Sequence, residues 1–455
     1  MIVTDRLRPE TFRLPVEKIR AGYKSDIYFA RTKLILEKDG RRDRVTMQVF
    51  QKHPSAVIVG TDHTLAILHT GTGRYRDRQK SDALFARYLD VERRAYAHWA
   101  GLPATGGWDA YAPLARDAFE LSHELASLWE PQWRELRVQS LYDGETAGPG
   151  EPVMLIEGEY GAFAHLETLY LGALAEGTRV ATNTRDVVAA ANGKPVIMFA
   201  ARHQAHEAQA GAGYAAYVGG ATGVSTDEQG EWWGSTGLGT LPHALIAVYG
   251  GDTTVATLKF DEYINRTNEA IGHLTAPGTA EGHVNVTSLV DFQNDVVNTS
   301  LGVAHALGQR LWGVRVDTSE SLIDTSILRE IEAKSGIAGA EIQEIQEIWG
   351  VTPRLVQILR DALDAAGYGH VRIVASGGFD RDKIARFEQL GVPVDVYGVG
   401  SALVHGTGFD HTADIVRAGG RPVAKVGRDL RESPRLHDLD WRALVGERAW
   451  ARSIS

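Results

Sequence analysis

Residues 196–203 read V-I-M-F-A-A-R-H, residues 217–225 read Y-V-G-G-A-T-G-V-S, and residues 239–245 read G-T-L-P-H-A-L; an alanine- and glycine-rich segment joins the first two runs. Residues 196–199 form a short apolar run directly after Gly193-Lys194-Pro195, the pattern of a buried strand. Strand and helix signals alternate from there to the C-terminal region. Strands are expected at 196–199, 221–224, 235–238, 284–289, 311–316, 371–375 and 394–397, and helices at 292–307, 352–366 and 381–390. Seven such strands predict the α/β class and an incomplete, seven-stranded β/α barrel.

In a β/α barrel the chemistry gathers at the C-terminal ends of the strands. Phe199 and Arg202 fall at such an end. An aromatic face beside a guanidinium suits a flat anionic ring, which stacks while its carboxylate takes two hydrogen bonds. His243 follows Gly239 and Pro242 at a loop-to-helix junction, where a histidine can exchange protons or carry a phosphoryl group. Arg315 and Asp317 are two apart at the end of 311–316 and so point to one face. That carboxylate can hold a ribose diol or an outer-sphere magnesium ion, and the arginine can meet phosphate. The runs A-S-G-G-F-D (375–380, with Ser376, Gly377 and Gly378) and Y-G-V-G-S (397–401, with Gly398, Gly400 and Ser401) can expose backbone N–H groups that cradle phosphate. Taken singly, each residue has an ordinary explanation: Phe199 as core, Arg202 as surface charge, His243 as a packed or capping histidine, Asp380 as a helix cap.

The rest of the chain sets limits. Its 455 residues suit two or three domains, and 44% apolar residues are enough for a large core. A net charge of -10 argues against a general nucleic-acid or anionic-membrane surface. With no cysteine, disulfides, iron–sulfur clusters and thiolate zinc sites are excluded. No apolar signal core or membrane-spanning run is read, so a soluble cytoplasmic protein is expected. Residues 33–60 read as strands. Residues 75–137 read as an amphipathic helical insertion, broken at 101–107 and resuming over 112–129.

A rival reading places His203, His206 and Glu207 at i, i+3 and i+4 on one helix, as the divalent-metal cluster of a metal-assisted hydrolase. The spacing is not that of HExxH, and no third ligand stands out. A second rival is a catalytically inactive relative that serves as a scaffold.

Together, the runs 199–202, 217–225 and 239–245 resemble the nicotinate phosphoribosyltransferase family in its short, archaeal-like form, whose pattern is F-G-x-R, Y-I-G-G-x-x-G-V-S and G-T-x-P-H-A-L. Further matches are S-D-I-Y-F-A-R-T (25–32, with Asp26, Tyr28 and Arg31), Glu167 and Thr168 in 156–174, R-V-D at 315–317, both glycine runs, and Lys425 near the C-terminus. Ala200 departs from the usual glycine, Thr318-Ser319-Glu320 replaces S-G-D, and only Gly144 matches the I-P-E-G element.

The resemblance implies a type II phosphoribosyltransferase fold, a barrel beside an open β-sandwich domain built from both chain ends. The expected divisions are 1–160 with the insertion at 75–137, 161–405 for the barrel, and 406–455 returning to the sandwich. It implies transfer of phosphoribose from phosphoribosyl pyrophosphate to nicotinate, with Mg2+, coupled ATP hydrolysis and phosphorylation of His243. His243, Asp317 and Arg202 are the expected catalytic residues. Tyr28, Phe199, Thr222, Arg315, Ser376, Gly377, Gly378, Gly398, Gly400 and Ser401 are expected at the substrates, with no direct metal ligand among them. Homodimers with shared sites are implied, Tyr28 reaching across. The neutral Thr222 favours nicotinate, and the alternative is a nicotinamide phosphoribosyltransferase.

Overall fold

Short, largely buried runs rich in valine, isoleucine and leucine build the sheet of residues 180–407. Its six strands are β1 (Val196–Met198), β2 (Gly223–Val224), β3 (Val286–Leu289), β4 (Leu311–Val316), β5 (Arg372–Ala375) and β6 (Val396–Val399). The computed structural model describes residues 1–105, 107–272, 274–275, 284–335, 348–447 and 450, so the last residues of the expected C-terminal segment lie outside it. It divides into two units, residues 1–179 with 408–455 and residues 180–407. In the second, the strand order is β3-β4-β5-β6-β1-β2 and every pairing is parallel. All residues of β3 and β6 are buried, as expected of strands covered on both faces. The helices Val296–Leu307, Pro353–Ala365 and Arg381–Gln389 start on Asp295, Thr352 and Asp380, each of which accepts a hydrogen bond from a backbone N–H of the first turn. The second of these buries Leu355, Val356, Leu359 and Leu363, one apolar stripe at helical spacing.

Among the described residues the sheet has six strands, not seven. Residues 235–238 make one parallel bridge, Val224↔Gly237, with the Leu238 N–H donating to Val224 O at 2.7 Å. Gly234 at φ +76° turns the chain into this run, and glycines at 237 and 239 give it little side chain to pack, so no ladder forms.

The first unit holds a six-stranded antiparallel sheet drawn from both chain ends. Arg44–Gln51 lies between Pro152–Glu159 and His411–Ala418, and Arg137–Ser140, Arg421–Pro422 and His437–Asp438 complete it. Val45, Met47 and Val49 alternate onto one face and share a core with Leu65 and Leu68 of helix Thr61–Gly71 and with Tyr170 and Leu174. The core residues packed against this sheet come largely from helices, and a two-residue antiparallel pair, Ala56–Val57 with Thr146–Ala147, adds to the unit.

The insertion is a helical hairpin, Arg78–Thr105 and Trp108–Leu128. Its base is closed by the antiparallel pair Gly73–Tyr75 and Trp129–Pro131. The start of the region expected as strands, 33–60, is instead the end of helix Ile27–Lys38, where Leu34, Leu36, Glu37 and Lys38 favour helix; the first strand begins at Arg44. No described helix is long and apolar enough to cross a membrane.

Candidate active site

A cleft of about 460 Å³ opens at the C-terminal ends of the parallel strands, with Phe199, Arg202, Ser225, His243, Arg315 and Asp317 on its wall. Its size is that of a small-molecule site. Phe199 continues β1 by donating its N–H to Val399 O at 2.7 Å. Its ring rests on Gly398, where an added Cβ would lie 2.5 Å from the ring edge. Gly398 therefore makes room for the aromatic ring.

Arg315 is held by three side chains. Its Nε donates to Ser376 Oγ at 2.8 Å, Nη1 to Thr240 Oγ1 at 3.2 Å and Nη2 to Asp317 Oδ2 at 3.1 Å. Ser376 Oγ donates in turn to Asp317 Oδ1 at 2.7 Å. Both Asp317 oxygens are thus engaged, in a pair that is mostly shielded from water, where charge-assisted hydrogen bonds are strong. Ser376 is itself buried and serves this network from behind the cleft.

Arg202 projects from the turn Ala201–His203 with its side chain exposed, and it makes no ion pair among the described residues. Ala200 is fully buried at φ -95°, a conformation open to any residue, so its methyl group is accommodated where glycine was expected.

His243 opens the helix His243–Val248, and its Nε2 lies 3.0 and 3.1 Å from the two oxygens of Asp291. Burial pushes the Asp291 carboxyl above its ordinary value, and the neighbouring His243 pulls it part of the way back. Sequence reading did not single out Asp291. The available signal was its place two residues beyond β3, the same kind of strand-end position that drew notice to Asp317 after β4.

Other expected site residues lie off the cleft wall. Thr222 donates both its N–H and its hydroxyl to Val196 O, at 2.9 and 3.2 Å, and so stands level with the start of β1. The register Ile197↔Gly223 and Met198↔Val224 brings Ser225, not Thr222, level with Phe199. Gly377 at φ +86° and Gly378 at φ +67° form the turn after β5, where a Cβ on Gly378 would collide with Glu320 Oε1. Gly400 and the exposed Ser401 lead into the four-residue helix Ser401–Val404 after β6.

His203 and His206 lie on separate short turns, Ala201–His203 and His206–Ala208, rather than on one helix. His206 pairs with Glu207 at 3.3 Å with both exposed, and no described group of three His, Cys, Asp or Glu could hold a metal ion. The metal-assisted hydrolase reading therefore loses its ligand set.

In the other unit, Tyr28 occupies the first turn of helix Ile27–Lys38 and is 58% exposed. The preceding Asp26 is tied to Thr168: its N–H donates to Thr168 Oγ1 at 2.9 Å, and that hydroxyl donates back to Asp26 Oδ2 at 2.9 Å.

The cleft offers cations and donors for phosphate and a ring face for an aromatic acceptor, yet no hydroxyl or thiol activated as a nucleophile. Positioning and charge compensation are what such a site supplies, which is the working principle of phosphoribosyltransferases. A scan of protein-family models matches none to this chain. The chain is 31% identical over 374 residues to a nicotinate phosphoribosyltransferase of Mycobacterium tuberculosis, covering 79% of this chain and 71% of that one. Its structure is similar to that of nicotinate-nucleotide pyrophosphorylase from Pyrococcus furiosus, with a TM-score of 0.61, 26% identity and coverage of 90% and 79% of the two chains. It shares a fold with human nicotinic acid phosphoribosyltransferase, with a TM-score of 0.55, 20% identity and coverage of 89% and 77%. The chain belongs to the nicotinate phosphoribosyltransferase family.

Proposed function

We propose that this chain joins nicotinate to phosphoribosyl pyrophosphate, releasing nicotinate mononucleotide and pyrophosphate in NAD biosynthesis, as a cytoplasmic enzyme. The observation that carries the reading is the convergence of Phe199, Arg202 and the Arg315–Asp317 pair on one cleft. The pyridine ring stacks on Phe199, and Arg202, with no carboxylate of its own to satisfy, takes the nicotinate carboxylate as a bidentate partner. The ring nitrogen then attacks the anomeric carbon as the bond to pyrophosphate breaks. The developing oxocarbenium charge lies near Asp317, while Arg315 faces phosphate oxygens. Asp317 on the cleft wall, with Asp291 behind His243, would suit magnesium, which binds through one or two carboxylates together with substrate phosphates. Such an ion, held there, would supply charge compensation for the leaving pyrophosphate.

His243 accepts the γ-phosphoryl group of ATP: a nitrogen–phosphorus bond forms as ADP departs, and hydrolysis of the phosphohistidine returns the imidazole. Asp291, hydrogen-bonded to Nε2, orients the ring and leaves Nδ1 as the attacking atom. The enzyme works as a homodimer in which Tyr28 of a second copy covers the pyridine ring. The exposure of Tyr28, together with Tyr23 and Ile27 at 61% each, supports a face available for pairing. The test is a product assay with nicotinate, nicotinamide and quinolinate in parallel, with and without ATP. Nicotinate mononucleotide is expected from nicotinate, with stimulation by ATP; turnover of quinolinate or nicotinamide in its place refutes the reading.

A further inference from the structure

Ser225 follows β2 and stands on the cleft wall, level with Phe199. Behind it lies Gln229, fully buried in the short helix Asp227–Gly230. Two donors of Ser225 converge on this side chain: the backbone N–H and the hydroxyl each lie 3.1 Å from Gln229 Oε1. A backbone N–H can only donate, so the end of the carboxamide that faces it is the oxygen. The Ser225 hydroxyl therefore donates to that same oxygen, and what it turns to the cleft is its lone pairs.

Little freedom remains to Gln229. Its N–H donates to Thr226 Oγ1 at 3.2 Å, Thr226 donates in turn to Gln209 Oε1 at 2.9 Å, and the Trp233 indole donates to Gln229 O at 2.9 Å. Helix Gln209–Gly219 touches the same backbone through Gly213, where a Cβ would lie 2.1 Å from Gln229 O. The carboxamide nitrogen Nε2 is buried and has no hydrogen-bond partner among the described residues. An unpaired buried donor is destabilising. Turning the carboxamide over gives no relief, because its NH2 group would then face the Ser225 N–H. The fold thus retains a glutamine with an unmet donor, and its side-chain bonds among the described residues go to Ser225.

We propose that Gln229 is a positioning residue for the choice between acid and amide: it holds the Ser225 hydroxyl proton away from the cleft and so moderates the preference for nicotinate. The inference rests on the phosphoribosyl-transfer reading, in which the pyridine ring stacks on Phe199 beside Ser225. A carboxylate can use Ser225 only as a donor. Its arrival swings the Oγ–H from Gln229 Oε1 to a carboxylate oxygen and gives up one neutral hydrogen bond for a charge-assisted one. An amide meets Ser225 as it stands: its N–H donates to Oγ, and the hydroxyl proton stays on Gln229. Gln229 therefore sets a cost on the acid that it does not set on the amide.

The test measures binding of nicotinate and of nicotinamide by calorimetry to the full-length wild type, Gln229→Met, Ser225→Ala and the double variant, with steady-state kinetics beside it. Gln229→Met frees the hydroxyl, so the ratio of nicotinate to nicotinamide affinity is expected to rise about two- to tenfold, the worth of one neutral hydrogen bond. In the Ser225→Ala background the same substitution is expected to leave the ratio within about twofold, because no hydroxyl proton remains to be held. Gln229→Glu keeps the size of the side chain and grips the proton more tightly, so it should move the ratio the other way, down by about tenfold or more, and it serves alone if Gln229→Met does not fold. A ratio that both variants leave unchanged, or that Gln229→Met shifts equally with and without the Ser225 hydroxyl, overturns the inference. So does a Gln229→Met variant that weakens acid and amide alike and raises the KM for phosphoribosyl pyrophosphate with them, the mark of a merely structural role. If the wild type binds neither compound, the phosphoribosyl-transfer reading falls and takes the inference with it; binding of both with a ratio indifferent to Gln229 overturns the inference alone.

Discussion

The guanidinium carbon of Arg315 lies 4.8 Å from the centroid of the Phe199 ring, whose edge leans on the backbone of Gly398. A residue at the end of β1 is therefore positioned by β4 and β6, and the two glycines of the β6 run have different tasks. Gly398→Ala places a methyl group 2.5 Å from the ring and must tilt it. We expect the KM for nicotinate to rise about tenfold, the scale of one lost aromatic contact, with that for phosphoribosyl pyrophosphate little changed. Gly400→Val should do the reverse. Steady-state kinetics in both substrates decide it, and equal effects of the two variants on both constants would remove the division of labour.

His243→Ala should abolish ATP stimulation and leave slow, ATP-independent formation of nicotinate mononucleotide. Asp291→Asn keeps the shape and one acceptor but not the charge. The Asp291 carboxyl is raised by burial, so its protonated form appears at higher pH than for an ordinary aspartate. ATP-stimulated turnover needs the carboxylate and should fall as pH drops through that raised value. The asparagine variant should be slow throughout and lack this acid limb. An acid limb that persists unchanged assigns it to another group.

Lys33 is 3% exposed on the helix that carries Tyr28; it donates to the carbonyls of Gly73 and Ala162, and burial lowers its ammonium to about 7. The folded value is below the unfolded one, so this group costs stability. The cost is full below about 7 and vanishes as pH rises past the unfolded value of 10.5. Lys33→Met removes the titration together with both carbonyl contacts and the ion pair with Glu37 at 3.9 Å. Relative to this variant, the wild type should gain thermal stability between pH 7 and 10. A difference in Tm that is constant across that range means the amine is not desolvated as the fold indicates.

Mixing Tyr28→Ala chains with His243→Ala chains should restore part of the lost activity if Tyr28 serves the second copy, because hybrid dimers hold one undamaged site. Isotope-coded mass spectrometry can verify subunit exchange. Exchange without recovery would confine each site to a single chain.

The strands that sequence reveals most clearly are those with an uninterrupted apolar run just after glycine or proline, such as Val196–Met198 after Pro195. The glycine-spaced run 235–238 has the turn residues of a strand end without the side chains of a strand. Arg315, Asp317 and Ser376 were legible because strand-end position and residue type agree, although the burial of Ser376 behind the pair was not. Asp291 escaped because its partner His243 is 48 residues away, and nothing local couples the two. The exchange of Thr222 for Ser225 is a matter of register: alternation shows that a strand exists, and only its neighbour fixes which residue is level with Phe199.

From that register we expect the choice between acid and amide to fall to Ser225. Stacking on Phe199 treats nicotinate and nicotinamide alike, and Arg202 can donate to a carboxylate or to an amide oxygen, so a third group must discriminate. Ser225 lines the cleft, and its hydroxyl lies 3.1 Å from Gln229 Oε1, neutral and able to turn toward a ligand. An aspartate there would repel the nicotinate carboxylate and accept a hydrogen bond from an amide nitrogen. Opposing or losing a desolvated charged pair costs about 2–5 kcal/mol, so Ser225→Asp should lower kcat/KM for nicotinate by roughly a hundredfold or more. Nicotinamide should suffer much less, and the wild-type preference for the acid should shrink accordingly. Thr222→Asp, with its side chain at the far end of β1, should change that preference by less than about threefold, a few tenths of a kcal/mol. Parallel measurement of both substrates on the two variants separates the positions: a larger effect at 222 than at 225 returns selectivity to Thr222 and sinks the register argument.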